Sequence, residues 1–376
     1  MSDEKKPDAN PPPKGGALVP LWRKKPLDIS TPSLFALFAV RDETLAAPAA
    51  DADSVGYMAR LLIQTTLPHR DPGNVEVWSR TNGNFTLQIV PGFTPPVAGK
   101  QPRRLGIPFG VYPRLFIAYL CSEAVRTGSP RVSAGHSLSD FIRKLGLGVR
   151  GGSRGTIARL RDQIARVSRA TIDWSYSDDE MDLNQGIRPI EISATFWDPH
   201  RPDQTCLWPS WFELNYRFFE ELMRAPVPLD MRLMLELARQ SRPLCMDVYQ
   251  WLTYRQHRYN ERGGKPTVIP WASLAGQFGG SYTRLRAFRE AFVEALRIVQ
   301  VAYPQGNATP TERGLLLGAG TPHVQATVAR RRIVQGHQKA QEATRGASQA
   351  PPAPTAPDAA EAKPARPDGP PESSST

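Results

Sequence analysis

Residues 151–174, GGSRGTIARLRDQIARVSRATIDW, change period half-way along, and no other stretch narrows the local fold as much. Wound as a helix over Ser153–Arg169, they place Ile157, Leu160, Ile164 and Val167 on one face at three- and four-residue steps. The opposite face carries Arg159, Asp162, Arg166 and Arg169, with Ala158 and Ala165 between them. From Thr171 to Tyr176 the residues turn β-branched and aromatic, so the helix is predicted to run straight into a strand. Upstream, Ser137–Asp140 reads as a capping box that opens a helix over Leu138–Leu145, closed by Gly146 and Gly148. Short helix, glycine-rich turn, arginine-rich helix and hairpin is the order of a winged helix-turn-helix, whose second helix enters the major groove of DNA. The plainer alternative is an amphipathic helix whose arginines only solvate one face.

Charge supports an anionic partner. The 376-residue chain carries a net +11 with a pI of about 9.8. Residues 103–169 hold 13 Lys/Arg against 3 Asp/Glu, residues 170–230 hold 4 against 12, and residues 231–323 hold 12 against 6. Two basic blocks divided by an acidic one predict two separate contact surfaces. Cys121, Cys206 and Cys245 stand far apart with no C-x-x-C, which points to buried thiols rather than a disulfide framework or a zinc site. No apolar run approaches the ~20 residues of a membrane span. The amino terminus lacks the pattern of a signal peptide, so the expectation is a cytoplasmic protein without membrane contact.

Taken in order, residues 1–54 read as a mostly disordered arm, polar and proline-rich to residue 30. Within it Thr31–Leu45 is apolar enough for a docked helix, and 46–54 is a joint. Residues 55–100 form an N-terminal hairpin unit, with strands Val75–Arg80 and Phe85–Val90 flanking Asn82-Gly83. Residues 101–200 make a first winged-helix domain supported by a buried helix, Arg114–Val125. Its wing is expected from Thr171–Ser177 and Arg188–Trp197, joined by the acidic loop 178–182, an awkward neighbour for phosphate.

Residues 201–323 repeat that plan without visible sequence identity. A strand Trp211–Asn215 and a helix Tyr216–Met223 lead to support helices Leu229–Arg239 and Pro243–His257. A short helix Trp271–Phe278, a Gly279-Gly280 turn and Ser281 as N-cap then open a second recognition helix, Tyr282–Arg297. It is expected to bury Leu285, Phe288, Phe292 and Leu296, with Ile298–Tyr303 and Gly314–Leu317 as its wing. Residues 324–376 read as a disordered tail with Arg330–Arg332 near its base. The fold class is therefore α+β, with tandem winged helices, a small N-terminal hairpin unit and disordered termini.

Candidate DNA-contacting residues are Arg154, Arg159, Arg166 and Arg169 on the first helix, with Arg161 nearer its buried edge. On the second they are Tyr282, Thr283, Arg284 and Arg286. Trp174, Trp197, Trp251 and Trp271 are read as core. Catalytic patterns are missing. The six histidines never form His-x-His, and the only approach to a P-loop fails at Thr94 and Gln101. The 178–182 acids have no partner for two-metal chemistry. No catalytic residue, metal or cofactor is expected.

Long segments, in order, resemble one family. YMARLLIQTTLPHRDPG (57–73), RTNGNFTLQIVPG (80–92), IPFGVYPRLFIAYLCSEAVRT (107–127) and SLSDFIRKLGL (137–147) are similar to the plasmid-encoded RepA family of replication initiators. So are WDPHRPDQ (197–204), PVPLDMRLMLELARQSRPLCMDVYQWLTYR (226–255), PWASLAGQFG (270–279) and GLLLGAGTPHV (314–324). The resemblance implies a protein that binds repeated sequences at its plasmid's origin, helps open the duplex and recruits host replication initiator and helicase proteins. It also implies two winged helices, one of which can serve as a homodimer surface. A winged-helix transcriptional repressor is the rival reading, because a fold does not distinguish the two.

Overall fold

The computed structural model describes residues 48–325 apart from 50–52, 96–100, 178–181, 199 and 262. The amino-terminal arm with Thr31–Leu45, most of the 178–182 acidic loop and the tail with Arg330–Arg332 lie outside the described residues. The first strand, β1 (Val55–Ala59), pairs antiparallel with β9 (Pro226–Asp230), so the start of the described chain is tied to its second half. After the short helix α1 (Arg60–Gln64) comes a hairpin, β2 (Trp78–Asn82) and β3 (Phe85–Val90); β2 starts later than the expected Val75, and Asn82 pairs with Phe85, so the turn is Gly83-Asn84 and not Asn82-Gly83. It does not stand apart. β3 pairs along its length with β5 (Thr171–Ser177), which pairs with β6 (Asp182–Ile187), giving a four-stranded sheet in the order β2-β3-β5-β6.

The support helix α2 (Val111–Thr127) buries residues nearly all round, among them Leu115, Phe116, Leu120 and Cys121. β4 (Arg131–Gly135) leads to α3 (Leu138–Lys144), whose Ser137 side chain accepts a hydrogen bond from Asp140 N–H at 3.1 Å, as the capping box requires. Gly146 follows in the left-handed region at φ +71, where a Cβ would also run into Leu235. α4 (Thr156–Arg169) then buries Leu160, Ile164 and Val167 and half-buries Ile157. Burying such side chains contributes roughly 1.5–3 kcal/mol each, enough to fix which face is outward.

The segment expected to pair with β5 divides instead. Pro189 donates no ladder hydrogen bond, and the chain turns there. Residues after it form β7 (Ile190–Ala194), which pairs with β8 (Ser210–Leu214), and β8 pairs with β4. β5 takes β6 as its partner, so the hairpin after α4 is Thr171–Ser177 with Asp182–Ile187, not with Arg188–Trp197.

α5 (Tyr216–Arg224) and β9 precede α6 (Met231–Arg239), capped by Asp230 through Arg232 N–H at 2.9 Å. Pro226 and Pro228 keep that stretch extended where a helix from Leu229 was expected. α7 (Pro243–Glu261) is the second support helix. β10 (Thr267–Pro270), α8 (Trp271–Phe278), α9 (Leu285–Ala302), β11 (Ala308–Pro310) and β12 (Gly314–Leu317) complete the described chain. Two expectations fail in α9. It starts at Leu285 with Arg284 as N-cap, not Ser281, and Leu285 is half-exposed. It also continues through Ile298–Ala302, because Ile298 and Val299 bury with Ala295 and Leu296 on the same helical face. A β-branched run is only a weak strand signal when its helical period is unbroken.

The two halves share a sheet order. β4-β8-β7 and β10-β12-β11 are both three-stranded and antiparallel, and in each the strand before the short helix bonds to the last strand of the unit. The first half inserts β5 and β6 between its long helix and its final pair.

Buried polar groups lock the halves together. Arg114 on α2 holds Asp247 on α7 with two hydrogen bonds of 2.7 Å, and it also donates to the carbonyls of Leu67, Pro68 and Gly110. His69 Nε2 lies 2.8 Å from the same carboxylate. Burial alone would raise the Asp247 pKa, but Arg114 and His69 outweigh it and hold the carboxyl below its ordinary value. Burial pushes the His69 imidazole below its ordinary value, against the pull of Asp247. Nearby, Arg80 donates to Thr66 Oγ1 at 2.6 Å and to the Gln277 carbonyl at 2.9 Å, tying β2 to α8.

Asp247→Ala would leave Arg114 charged and buried without its partner. The expected loss is about 3–5 kcal/mol, read as a lower urea midpoint. Acid should weaken the fold in a defined window. Below about pH 6.5 the unfolded chain gains a proton at His69 that the folded chain resists, so stability falls with pH there. Burial lowers His323 as well, so it adds to the same loss. Thermal melts from pH 7.5 to 5 should decline less steeply in His69→Gln, whose amide still donates to Asp247; an unchanged slope would show that His69 does not titrate in this way.

Candidate nucleic-acid interface

The first surface is built on α4. Its N-terminus follows a tight turn in which Ile157 N–H donates to the Arg150 carbonyl at 3.2 Å. The buried stripe beneath fixes the helix's rotation. Arg150, Arg154, Arg159, Arg161 and Arg169 are then all exposed, and none has an ion pair among the described residues. Arg154 stands in the turn before the helix, not within it. Arg161, on the edge of the helix nearer the buried stripe, is exposed as well.

Arg166 departs from the expected outward face. Its side chain is 16% exposed, and its Nε faces Asp162 at 2.9 Å. Its Nη1 donates to the Ile107 carbonyl at 3.0 Å, and its guanidinium lies 5.2 Å from the Phe109 ring centroid. Gly106, at φ +67, clears this guanidinium, since a Cβ there would lie 2.7 Å from Nη1. Gln163 beside it accepts from Phe109 N–H at 2.8 Å. Arg166 and Gln163 therefore strap residues 107–109 to α4. Spacing alone put Arg166 with the outward arginines because it cannot register that a distant segment crosses the helix there.

The second surface surrounds the start of α9. Thr283 and Arg284 are exposed but stand in the turn before the helix, and Arg286 lies in its first turn. Arg286 pairs with Glu290 at 3.0 Å, both well exposed, so the pair is weak and readily exchanged. Tyr282 is half-buried, its ring 5.8 Å from that of Phe288, and burial raises its phenol above the ordinary value. Phe288, Phe292 and Leu296 form the buried underside. The hairpin turn between β11 and β12 is held against α8 by Trp271 Nε1–H donating to the Thr311 carbonyl at 3.0 Å. Between that turn, the start of α8 and α9 lies a groove of about 870 Å³. Four arginines (286, 289, 297, 313) and three glutamates (290, 294, 312) line it, with the half-exposed Leu285.

The two surfaces thus differ. The first carries exposed arginines on both flanks of α4, with Asp162 paired to Arg166 among them, whereas the second mixes charges around an apolar floor. Trp174, Trp251 and Trp271 are buried, and Trp197 stacks on Phe141 with centroids 5.1 Å apart. Burial pushes the Cys121 and Cys245 thiols up to about 12, and all three cysteines are free. Among the described residues, no group of three or more His, Cys, Asp or Glu is placed to hold a metal ion. No helix of the described residues is long and apolar enough to cross a membrane.

Residues 107–273 match the family described as plasmid encoded RepA protein. The match spans α2 through the start of α8 and therefore includes the whole of the first arginine surface. No curated protein matches the chain. A crystal structure of domains 2 and 3 of RctB covers 67% of this chain and 95% of its own, at 12% identity and a TM-score of 0.40, too distant to carry an argument. The sequence resemblance and the family match agree over their shared span: residues 107–273 are similar to the plasmid-encoded RepA family.

Proposed function

We propose that the protein is a plasmid replication initiator that binds duplex DNA at repeated origin sequences through two winged-helix units. The observation that carries this reading is the group of exposed arginines without ion pairs on and beside α4, within the span that matches the RepA family. An outward row of cations above an apolar stripe is what a helix seated in the major groove needs. The shared sheet order supports the second half of the proposal. In both units a support helix, a strand, a short helix and a longer helix are followed by a strand pair whose last member bonds to the first strand. In the first unit that pair is β7–β8, which makes β5–β6 an insertion and not the wing.

Arg154, Arg159 and Arg169 act as phosphate contacts on the first surface, joined by Arg150 and Arg161. Thr283, Arg284 and Arg286 read or hold the DNA on the second, with Tyr282 bracing the turn. Origin opening, recruitment of host replication initiator and helicase proteins, and a homodimeric form belong to the same proposal by family resemblance. The activity is binding and distortion, with no bond-making step. The rival, a winged-helix repressor, would occupy the duplex without distorting it, and permanganate footprinting of the bound origin separates the two. Reactive thymines at saturating protein support the initiator, and an undistorted duplex favours the repressor.

Each phosphate neutralised contributes about −0.9 to the slope of log affinity against log salt. Replacing Arg154, Arg159 and Arg169 together by Ala should therefore flatten that slope by about 2.7 units. Arg166→Ala should instead lower the melting temperature and leave the slope nearly unchanged. Arg286→Ala should relax sequence choice by about 1–3 kcal/mol if its side chain reads a guanine. Equal weakening on all duplexes would reassign it to a phosphate.

A further inference from the structure

Where the two halves meet, a second cavity of about 780 Å³ opens between the β2–β3 hairpin and α1 on one side and α7, β10 and α8 on the other. Its charge is one-sided. Arg60, Arg255, Arg258 and Lys265 line it, and no carboxylate does. Arg60 and Arg258 reach carboxylates outside the lining, Glu221 at 3.2 Å and Glu261 at 2.9 Å. Lys265 is exposed and has no ion pair among the described residues. A concavity of one sign concentrates counter-ions, and this one differs from the mixed groove on α9 in having no carboxylate in its lining.

The remaining lining adds a second kind of chemistry. The buried rings of Trp251 and Tyr254 lie at its depth, and Phe85 is half-buried. The amides Gln64, Asn82 and Gln277 form a connected set. Gln64 donates to Tyr254 Oη at 3.1 Å, Asn82 donates to the Gln64 carbonyl at 2.8 Å, and Gln277 donates to the same carbonyl at 2.9 Å. Asn84, exposed at the hairpin turn, is left to face a ligand. Rings that stack, amides that meet a base edge and cations that hold phosphate together describe a nucleotide. The volume lies in the range of small-ligand sites.

We propose that this cavity binds a nucleotide, its phosphate held by Lys265 and Arg258 and its base set among Phe85, Tyr254 and Asn84. The site is separate from the duplex surfaces on α4 and α9 and does not depend on them. A free nucleoside triphosphate and a nucleotide of a single strand present the same chemistry. Because the lining comes from both halves, an occupant would bridge them and raise the stability of the folded chain.

The test uses the full chain, with ATP, the single strand dT8, inorganic phosphate and polyglutamate as probes, followed by tryptophan fluorescence and thermal melts. The expected result is saturable binding of ATP or dT8 with a higher melting temperature, the tighter of the two naming the source. Lys265→Glu and, separately, Asn84→Asp should each weaken that binding by about tenfold, since the first sets a carboxylate against phosphate and the second replaces the amide that faces the base with an acceptor-only carboxylate. Both should leave affinity for an origin duplex within about twofold. The proposal is overturned if neither ATP nor dT8 binds, if both variants bind as well as the parent chain, or if phosphate or polyglutamate binds as tightly as the nucleotides. Duplex affinity measured on the same samples keeps the two readings apart, because failure there leaves the nucleotide result standing.

Discussion

Arg114 and Asp247 sit 133 residues apart in the chain and meet inside it, with His69 completing the contact. Everything else in the arrangement of the two halves is compatible with that meeting or produced by it. The guanidinium spends its remaining hydrogens on carbonyls of the 67–68 segment and of Gly110, so the loop after α1, the start of α2 and the first turns of α7 are drawn to one point. A buried ion pair is a modest source of stability, because desolvation takes back most of its Coulomb gain. Its strength lies in exclusion: an arrangement of the halves that separates the partners leaves an uncompensated charge in the core. The Arg80 contacts with Thr66 and Gln277 apply the same rule a short distance away.

That junction gives the helices α4 and α9 a common frame, and the surfaces they carry are unequal. On α4 the acid Asp162 is occupied by Arg166, which leaves the neighbouring arginines without a competitor. On α9 glutamates alternate with arginines, and an apolar residue breaks the surface. Under the proposed function, long-range attraction to a polyanion would rest mainly on the first surface, and the second would suit short-range discrimination, where mixed charge penalises a wrong fit.

Much of this was legible in the residues themselves. The period of α4, the Ser137 cap of α3, a hairpin turn beside Asn82 and the boundaries of α8 all follow from local rules, and the structure contains them, with that turn one residue later, at Gly83-Asn84. The misreadings have a common form. Pairing β5 with 188–197 assumed that neighbours in sequence pair, whereas Pro189 breaks the ladder and sends the next strand to another sheet. Ending α9 at Arg297 trusted the β-branched Ile298 and Val299 over the helical period they continue. Grouping Arg166 with its outward neighbours missed the 107–109 segment, which no local pattern announces.

By itself, the sequence determined which faces are apolar, where α3 and α8 begin, where the charge is concentrated and which family the middle of the chain resembles. Those properties depend on residues a few positions apart, and side-chain period and capping report them directly. Only the tertiary structure decided that the amino-terminal hairpin completes the sheet of β5 and β6, that β1 pairs with β9, that Arg166 is a strap and that four cations converge on one cavity. Each of these joins residues tens to hundreds of positions apart, and the free energy that selects such a pairing comes from burying surfaces and charges together.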